Sequence, residues 1–238
     1  MKRVTICVLL YGDHIDLAKR CVGSIIERFP KESYELRVGM NECCDETLKY
    51  IKGIKEIDKI YKEKKNINKY PLMIKMFEDI ETEFIWWFDD DVEVVLESAL
   101  NKRIEIIDKM NKKVVLLGHS YFCKNLSQKS LDWVKKQPWY RGRPIPCGAM
   151  SYDKEYYKNT KKMRLHFPTG YSWFARTDFI KESGYPGEIV RAGDKFLGIA
   201  IRQMGYAYKD VSSLGLKEIP CVSRKRDTEG KEKKKNDI

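Results

Sequence analysis

The alternation of strand-like and helix-like segments in the first half of the chain restricts its fold more than any other feature. Short apolar segments at residues 4–10, 34–40, 59–61 and 85–88 predict strands. Amphipathic segments between them predict helices, at residues 15–29, 47–57 and 72–78. Such a β-α-β-α-β-α-β succession predicts a mainly parallel sheet flanked by helices, with a ligand edge at the carboxyl ends of the strands.

The fourth predicted strand ends in three consecutive aspartates. Ile85-Trp86-Trp87-Phe88 fits a buried strand, and Asp89, Asp90 and Asp91 follow it directly. Adjacent carboxylates repel one another and cannot stay buried unpaired, so we expect them at the carboxyl end of the strand. Carboxylates with the D-x-D spacing can hold a hard divalent cation, which in turn can hold a diphosphate. The alternative is a solvated acidic turn that only terminates the strand.

The second half of the chain is less regular. A helix is predicted at 96–110 and a strand at 113–118, but residues 120–166 carry several prolines and glycines and few periodic segments. Regular structure returns with a strand at 171–176, a helix at 177–183, a turn at 184–187 and a helix at 194–204. We therefore expect one domain over residues 1–222, with halves 1–118 and 119–222, followed by a basic tail at 223–238 that we expect to be mobile.

Composition points to a soluble protein of a reducing compartment. The 238 residues contain no apolar run of membrane-spanning length, and the seven cysteines are an odd number without zinc-site spacing. We therefore expect reduced thiols and a cytoplasmic location, which for a viral protein is the host cytoplasm. The sequence leaves the oligomeric state open.

Positive charge is concentrated in the middle of the chain. The formal net charge is +11, and residues 124–166 contribute +8 of it, interleaved with aromatic residues. Basic and stacking side chains alternate in this way on surfaces that bind nucleic acid. A solvated lysine-rich face over ordinary core aromatics explains the same pattern equally well.

Several segments, taken in order, resemble the GT-A glycosyltransferases, specifically the inverting family 2. They are VTICVLLYGDHIDLAKRCVGSI, NECCDET, WWFDDDVEV, GYSWFARTDFIKESGYPG and AGDKFLGIAIRQMGY. The resemblance implies a Rossmann-like GT-A domain that transfers a sugar from a nucleotide-sugar donor, preferably a UDP-sugar, to a hydroxyl acceptor with Mn²⁺ or Mg²⁺. The basic irregular segment would then lie on the acceptor side.

The resemblance also implies roles for residues on the donor side. Asp89 and Asp91 would bind the metal, which would stabilise charge on the leaving nucleoside diphosphate. Asp90 would face the ribose or the interior. The positions that would contact the base or ribose follow the first two strands: Tyr11, Asp13, Asn41 and Asp45. A simple turn explains the first pair as well, and Asp45 is also a suitable cap for the helix predicted near Thr47.

The late acidic residue Asp194 is the candidate general base. It matches the second residue of the family's Glu-Asp pair, which deprotonates the acceptor hydroxyl. The chain departs from the pattern because Gly193 stands in the place of the glutamate, and Lys195 follows. Asp194 is also a suitable helix N-cap. In a retaining enzyme the assignment of a base would fail.

Three segments resemble phage-encoded members of this fold, some of which glycosylate hydroxymethylated pyrimidines in DNA: WVKKQPWYRGRP, FPTGYSWFARTDFIKESGYP and GDKFLGIAIRQMGY. This resemblance implies DNA as a partner. The residues themselves suggest an acceptor-side wall, in which the aromatic rings of Trp139 and Tyr140 stand beside the cationic groups of Arg141 and Arg143, which suit phosphate. A packed loop anchored by aromatics is the alternative interpretation of these four residues.

Three other functions remain open. The same chemistry on a polysaccharide or lipid-linked acceptor would also use basic and aromatic residues. A nucleotidyltransferase should have a glycine-rich phosphate loop after the first strand, which LLYGDHID lacks. A non-enzymatic nucleic-acid-binding module would bind no sugar nucleotide.

Overall fold

The computed structural model describes residues 2–123, 126–145, 165–185, 193–211 and 214–219. The predicted tail, residues 186–187 of the predicted turn and much of the basic segment lie outside the described residues. The strands are β1 Val4–Tyr11, β2 Tyr34–Asn41, β3 Lys59–Glu63, β4 Phe84–Asp89, β5 Val92–Val94, β6 Val114–Cys123, β7 Leu165–Arg176, β8 Ala207–Asp210 and β9 Leu216–Glu218. The helices are α1 Ile15–Arg28, α2 Asp45–Lys52, α3 Lys69–Phe77, α4 Ala99–Lys109, α5 Gln128–Lys135, α6 Thr177–Ser183 and α7 Gly193–Gln203.

Seven strands form the central sheet, in the order β3-β2-β1-β4-β7-β6-β8. The first four are parallel to one another, as the alternation of helices and strands predicts. β7 runs antiparallel to both β4 and β6, while β8 is parallel to β6. The predicted fold class, a mainly parallel α/β sheet flanked by helices, is confirmed.

Two apolar layers cover the two faces of this sheet. Side chains alternate between faces along a strand, so Trp86 packs with α1 and α4 on one face and Trp87 packs with α3, α6 and α7 on the other. Trp87 stacks on Trp173 of β7, with ring centroids 6.3 Å apart. The Ile85–Phe88 run is therefore buried from both sides, which fixes the position of the aspartates that follow it.

The structure departs from the predicted elements mostly at their ends. α2 spans Asp45–Lys52, not 47–57, and stops at Gly53. α3 begins at Lys69, three residues before the predicted start, because Pro71 is tolerated in the first helical turn. The pairing of β5 with β9 was not predicted, since three-residue strands give little periodic signal.

No helix in the described part of the chain is both long enough and apolar enough to cross a membrane.

Candidate active site

Polar residues of three neighbouring strands meet at one edge of the sheet. Tyr11 ends β1 and pairs with Asn41 at the end of β2, while Asp89 at the end of β4 pairs with Leu9 of β1. β7 runs in the opposite direction, so it brings its first half, including Gly170, to the same edge. The carboxyl ends of the parallel strands therefore form the floor of a candidate site.

Asp89 is the carboxylate of β4 that faces this edge. Its side chain is 26% exposed, and the Lys69 ammonium lies 2.7 Å from it. The indole nitrogen of Trp87 donates a second hydrogen bond to Asp89 Oδ1, at 3.0 Å. Asp89 is thus both oriented by its own strand and neutralised by the first residue of α3.

Asp90 and Asp91 have surroundings that differ from those of Asp89. The Tyr11 backbone N–H donates to Asp90 Oδ2 at 3.3 Å, which ties Asp90 to the end of β1. Asp91 is only 4% exposed, and its backbone carbonyl accepts from Ile219 N at 2.7 Å. The strand ends at Asp89 and a turn follows, so the strict alternation that would put Asp89 and Asp91 on one side is lost.

The acidic edge suits a hard divalent cation whose coordination shell is completed by a bound substrate. Asp89 and Asp90 supply carboxylate oxygens, the ligand type that Mg²⁺ and Mn²⁺ prefer. Among the described residues, no group of three or more His, Cys, Asp or Glu side chains is arranged to hold a metal ion. Mg²⁺ is commonly held by one or two carboxylates together with substrate phosphates and water, so these residues fit an ion that arrives with a diphosphate.

Asp194 lies across the same edge, in the first turn of α7. The Tyr70 hydroxyl donates to its Oδ1 at 3.4 Å, and a methyl group added at Gly170 would overlap both carboxylate oxygens. Burial raises the pKa of Asp194 above its ordinary value; the Lys69 charge opposes this shift and the Asp89 charge adds to it. α7 begins at Gly193, so Asp194 occupies a helical position and is not the N-cap.

The glycine before Asp194 makes room for Tyr70. The Gly193 backbone N–H donates to the Tyr70 hydroxyl at 2.8 Å, and a side chain at Gly193 would overlap the tyrosine ring. Burial, followed by the charge of Asp194, raises the pKa of Tyr70, so its hydroxyl keeps the proton that it donates. The absence of a glutamate at position 193 thus has a steric reason in this chain.

A cluster of asparagines sets the start of α3 and hence the positions of Lys69 and Tyr70. Asn41 is 3% exposed; its amide donates to Asn66 Oδ1 at 2.9 Å and accepts from Ile67 N at 3.0 Å. Asn68 N donates to Asn66 Oδ1 at 2.7 Å, and Asn68 has a positive φ of 71°. In this arrangement the amide of Asn41, a predicted donor-binding group, supports the loop that carries the site lysine.

The loops after β1 and β2 lie side by side at the donor end of the predicted site. Cys44 N donates to Gly12 O at 3.2 Å, which joins the two loops. The Asp13 side chain is 77% exposed, and its Oδ1 lies 3.6 Å from His14 Nδ1. Asp45 is exposed and is the first residue of α2, after Cys44 in the N-cap position, so it does not cap the helix as one alternative required.

The four predicted acceptor residues separate into a buried part and an exposed part. Trp139 is 5% exposed and packs edge-to-face on Trp133, which favours the alternative of a packed loop for Trp139; Tyr140 is partly buried against the same apolar layer. Arg141 and Arg143 are exposed.

Gln203 at the end of α7 fixes the loop that carries these arginines. Its Oε1 accepts from the backbone N–H of Arg141 and of Arg143, both at 3.0 Å, and its Nε2 donates to Arg143 O at 2.6 Å. Asp194 and Gln203 lie at opposite ends of α7, about 13 Å apart at a rise of about 1.5 Å per residue. The loop with the exposed arginines is therefore fixed to the end of α7 opposite to Asp194.

Sequence reasoning missed four residues that organise this region: Lys69, Tyr70, Gly170 and Gln203. Lys69 and Tyr70 precede the helix predicted at 72–78, so the sequence places them in the loop before it. The G-D pair at 193–194 and the polar run EKKNINKY were the signals in the sequence, but neither indicates which strand or helix its side chains would meet.

Comparison with known proteins gives a fold and no family. No family model and no curated protein matches the chain. Among solved structures, the chain is similar to the mannosyltransferase PcManGT from Pyrobaculum calidifontis in complex with GDP-Man and Mn²⁺. The TM-score is 0.62 and the sequence identity 14%, and the match covers 92% of this chain and 58% of that one. S. aureus TarS 1-349 in complex with UDP is similar with a TM-score of 0.55 and 18% identity, over 90% and 61%.

The complex of TarS 1-349 with UDP-GlcNAc gives a TM-score of 0.54 and 16% identity, over 89% of this chain and 59% of that one. The chain therefore spans about three fifths of the length of these neighbours. Its fold is the GT-A glycosyltransferase fold.

Proposed function

We propose that this chain is a glycosyltransferase that uses a nucleotide-sugar donor and a divalent cation. The observation that carries the proposal is the meeting of Asp89, Lys69 and the partly buried Asp194 near Gly170 at the ligand edge of a GT-A sheet. Two structural neighbours, in complex with GDP-Man and Mn²⁺ and with UDP-GlcNAc, support a nucleotide sugar as the donor. A UDP-sugar is the donor that we favour.

On the donor side, the diphosphate would lie over the end of β4. Mn²⁺ or Mg²⁺, held by Asp89 and by a second carboxylate, would stabilise the charge on the leaving nucleoside diphosphate when bound. The sequence points to Asp91 as the second carboxylate, whereas the burial of Asp91 favours Asp90. The joined loops at Tyr11–Asp13 and Cys44–Asp45 would receive the base and ribose.

On the acceptor side, Asp194 would act as general base in an inverting displacement. The acceptor oxygen forms a bond to the anomeric carbon while the bond from that carbon to the diphosphate oxygen breaks, and the hydroxyl proton moves to Asp194. A carboxylate with a raised pKa holds that proton better than an exposed one. Tyr70 would keep the carboxylate in place, through the hydrogen bond to Oδ1.

A thermal-stability screen against sugar nucleotides tests this proposal. A ligand that binds only the folded protein raises stability, by about 2.7 kcal/mol at a concentration of 100 Kd. We expect one UDP- or GDP-sugar with Mn²⁺ to raise the melting temperature of the wild-type protein by several degrees. The Asp89→Asn variant should show a smaller shift, and a panel that shifts neither protein would contradict the proposal.

For the acceptor, we propose a hydroxymethylated pyrimidine in DNA. The support is the +8 charge of residues 124–166 and the exposure of Lys135, Lys136, Arg141 and Arg143. The arginine loop is held by Gln203, which lies about 13 Å along α7 from Asp194, and this is less than one helical repeat of duplex DNA, about 34 Å.

Salt dependence provides the test of the DNA acceptor. Each neutralised phosphate contributes about −0.9 to the slope of log K against log salt on duplex DNA. Replacing Lys135, Lys136, Arg141 and Arg143 by glutamine should therefore flatten the slope measured by fluorescence anisotropy, with sugar-nucleotide binding unchanged. Glutamine at exposed Lys49, Lys52, Lys55 and Lys112 removes the same charge elsewhere and is the matched control.

The slope of the control should stay that of the wild type. DNA with and without hydroxymethylated pyrimidines should be compared. If no DNA binding is measurable at low salt and transfer occurs to a saccharide or lipid-linked acceptor, the DNA acceptor is wrong and the glycosyltransferase proposal stands.

A further inference from the structure

Lys69 places a positive charge inside the carboxylate edge. It is the first residue of α3, and its ammonium lies 2.7 Å from the Asp89 carboxylate and 2.8 Å from the Gly170 carbonyl oxygen. The same ammonium is 5.5 Å from the centroid of the Trp87 ring. The Lys69 side chain is 22% exposed, so the charge is largely enclosed but still reaches the open edge.

The oxygens around this ammonium belong to two neighbouring strands. Asp89 ends β4 and Gly170 lies in β7, and a carboxylate with a backbone carbonyl is the kind of oxygen set that also receives hard cations. A cation that comes to Asp89 must therefore share that carboxylate with Lys69 or displace it. A displaced ammonium stays at the edge, because α3 fixes the backbone from which it extends.

The charges of the site explain why a cation is needed there. Asp89, Asp90 and Asp194 are all at or beside the edge, and a nucleoside diphosphate adds further negative charge. A lysine ammonium is a compact donor that binds phosphate oxygens as a point charge. The asparagine cluster around Asn41 and Asn66 holds the start of α3, so Lys69 is presented in a defined position.

We propose that Lys69 is a built-in cation of the donor site, which pairs with Asp89 in the absence of donor and contacts the diphosphate when a nucleotide binds. The inference rests on the proposed function and extends it. Its consequence is that a nucleoside diphosphate binds, more weakly, even without a divalent ion. With Mn²⁺ present, the ion and Lys69 hold the diphosphate together.

Calorimetric titration of UDP and of GDP, each in Mn²⁺ and in EDTA, tests this role. The wild-type protein should bind one of the two nucleotides in both conditions. Lys69→Met should weaken binding in EDTA by about 10- to 100-fold, the contribution of a hydrogen bond to a charged group. Lys69→Arg, which keeps the charge, should bind in EDTA more tightly than Lys69→Met.

Lys65→Met is the matched control. Lys65 is exposed in the loop that leads to α3, so this variant removes the same charge four residues away. It should bind like the wild type, and melting curves of all variants establish that they are folded. If Lys69→Met does not fold, Lys69→Gln, which also removes the charge but keeps a polar side chain, takes its place in the same titrations with the same expected loss.

Two results would overturn the role of Lys69. One is equal nucleotide affinity of Lys69→Met and the wild type in EDTA; the other is wild-type binding that disappears completely in EDTA. Failure of the proposed function looks different, because the wild-type protein would then bind neither UDP nor GDP even in Mn²⁺, and Lys69 would lose its role with it.

Discussion

Asp194→Asn should bind the sugar nucleotide with wild-type affinity and lose transfer by about two to four decades, the usual contribution of a general base. Asparagine keeps the shape of the side chain and its contacts with Tyr70 and Gly170, but it cannot take the acceptor proton. Calorimetry with donor and Mn²⁺ gives the affinity, and product formation under saturating donor gives the rate. A variant that turns over at the wild-type rate would show that Asp194 is structural.

The pH dependence of the wild-type rate provides a second check on Asp194. A general base acts in its deprotonated form, and burial raises the pKa of this carboxyl. The rate should therefore rise with pH through an apparent pKa above the usual aspartate range, and this rise should be absent from the residual activity of Asp194→Asn. A rise centred at or below the ordinary aspartate pKa would contradict the assignment.

The raised pKa of Asp194 should also lower the stability of the folded protein at neutral pH. A carboxyl whose pKa is raised on folding disfavours the folded state once pH exceeds its unfolded value, because the charged form is buried. Asp194→Asn should therefore be more stable than the wild type near neutral pH. The difference should shrink as pH falls below the unfolded aspartate pKa, where the carboxyl is protonated in both states.

The parts of the fold that the sequence predicted are those that depend on long periodic segments. The run Ile85–Phe88 is too apolar to be anything but buried, so both the strand and the position of Asp89 at its end follow from local composition. The parallel order of the first four strands follows from the helices between them. Asp194 was recognised through the resemblance of the segment AGDKFLGIAIRQMGY, and not from a local periodic pattern.

The contacts that assemble the site could not be predicted, since they join segments far apart in the chain. Lys69 meets Asp89 because α3 starts earlier than its apolar pattern indicates, and Gly170 reaches Lys69 because β7 runs antiparallel to β4. No local pattern reports such pairings. Likewise, Gln203 is an ordinary polar residue at a helix end in the sequence. Its hydrogen bond with the Arg141 backbone becomes visible only in the folded structure.

The three aspartates after β4 show most clearly what a sequence motif cannot predict. The D-x-D spacing predicts that the side chains of Asp89 and Asp91 point to the same side, because residues two apart share a face of an extended strand. The strand ends at Asp89, however, and the turn that follows sends Asp91 inward, to 4% exposure. Substituting each of the two by alanine should therefore have different consequences.

Asp89→Ala should remain folded and lose metal-dependent donor binding. Its side chain is partly exposed, so its removal leaves no buried cavity, whereas the loss of a charged ligand should weaken binding of UDP or GDP in Mn²⁺ by about 10- to 100-fold. Calorimetric titration in Mn²⁺ measures the affinity. A melting curve should show that the variant is folded.

Asp91→Ala should instead lower the free energy of unfolding by about 1–3 kcal/mol, the cost of disrupting a buried polar group. Its donor affinity should fall less than that of Asp89→Ala, because the Asp91 side chain is buried and that of Asp89 is partly exposed at the edge. Denaturant unfolding and calorimetry on the same preparations compare the two variants. Equal loss of metal-dependent binding in both, with unchanged stability, would mean that the turn after β4 rearranges to bring Asp91 to the ion.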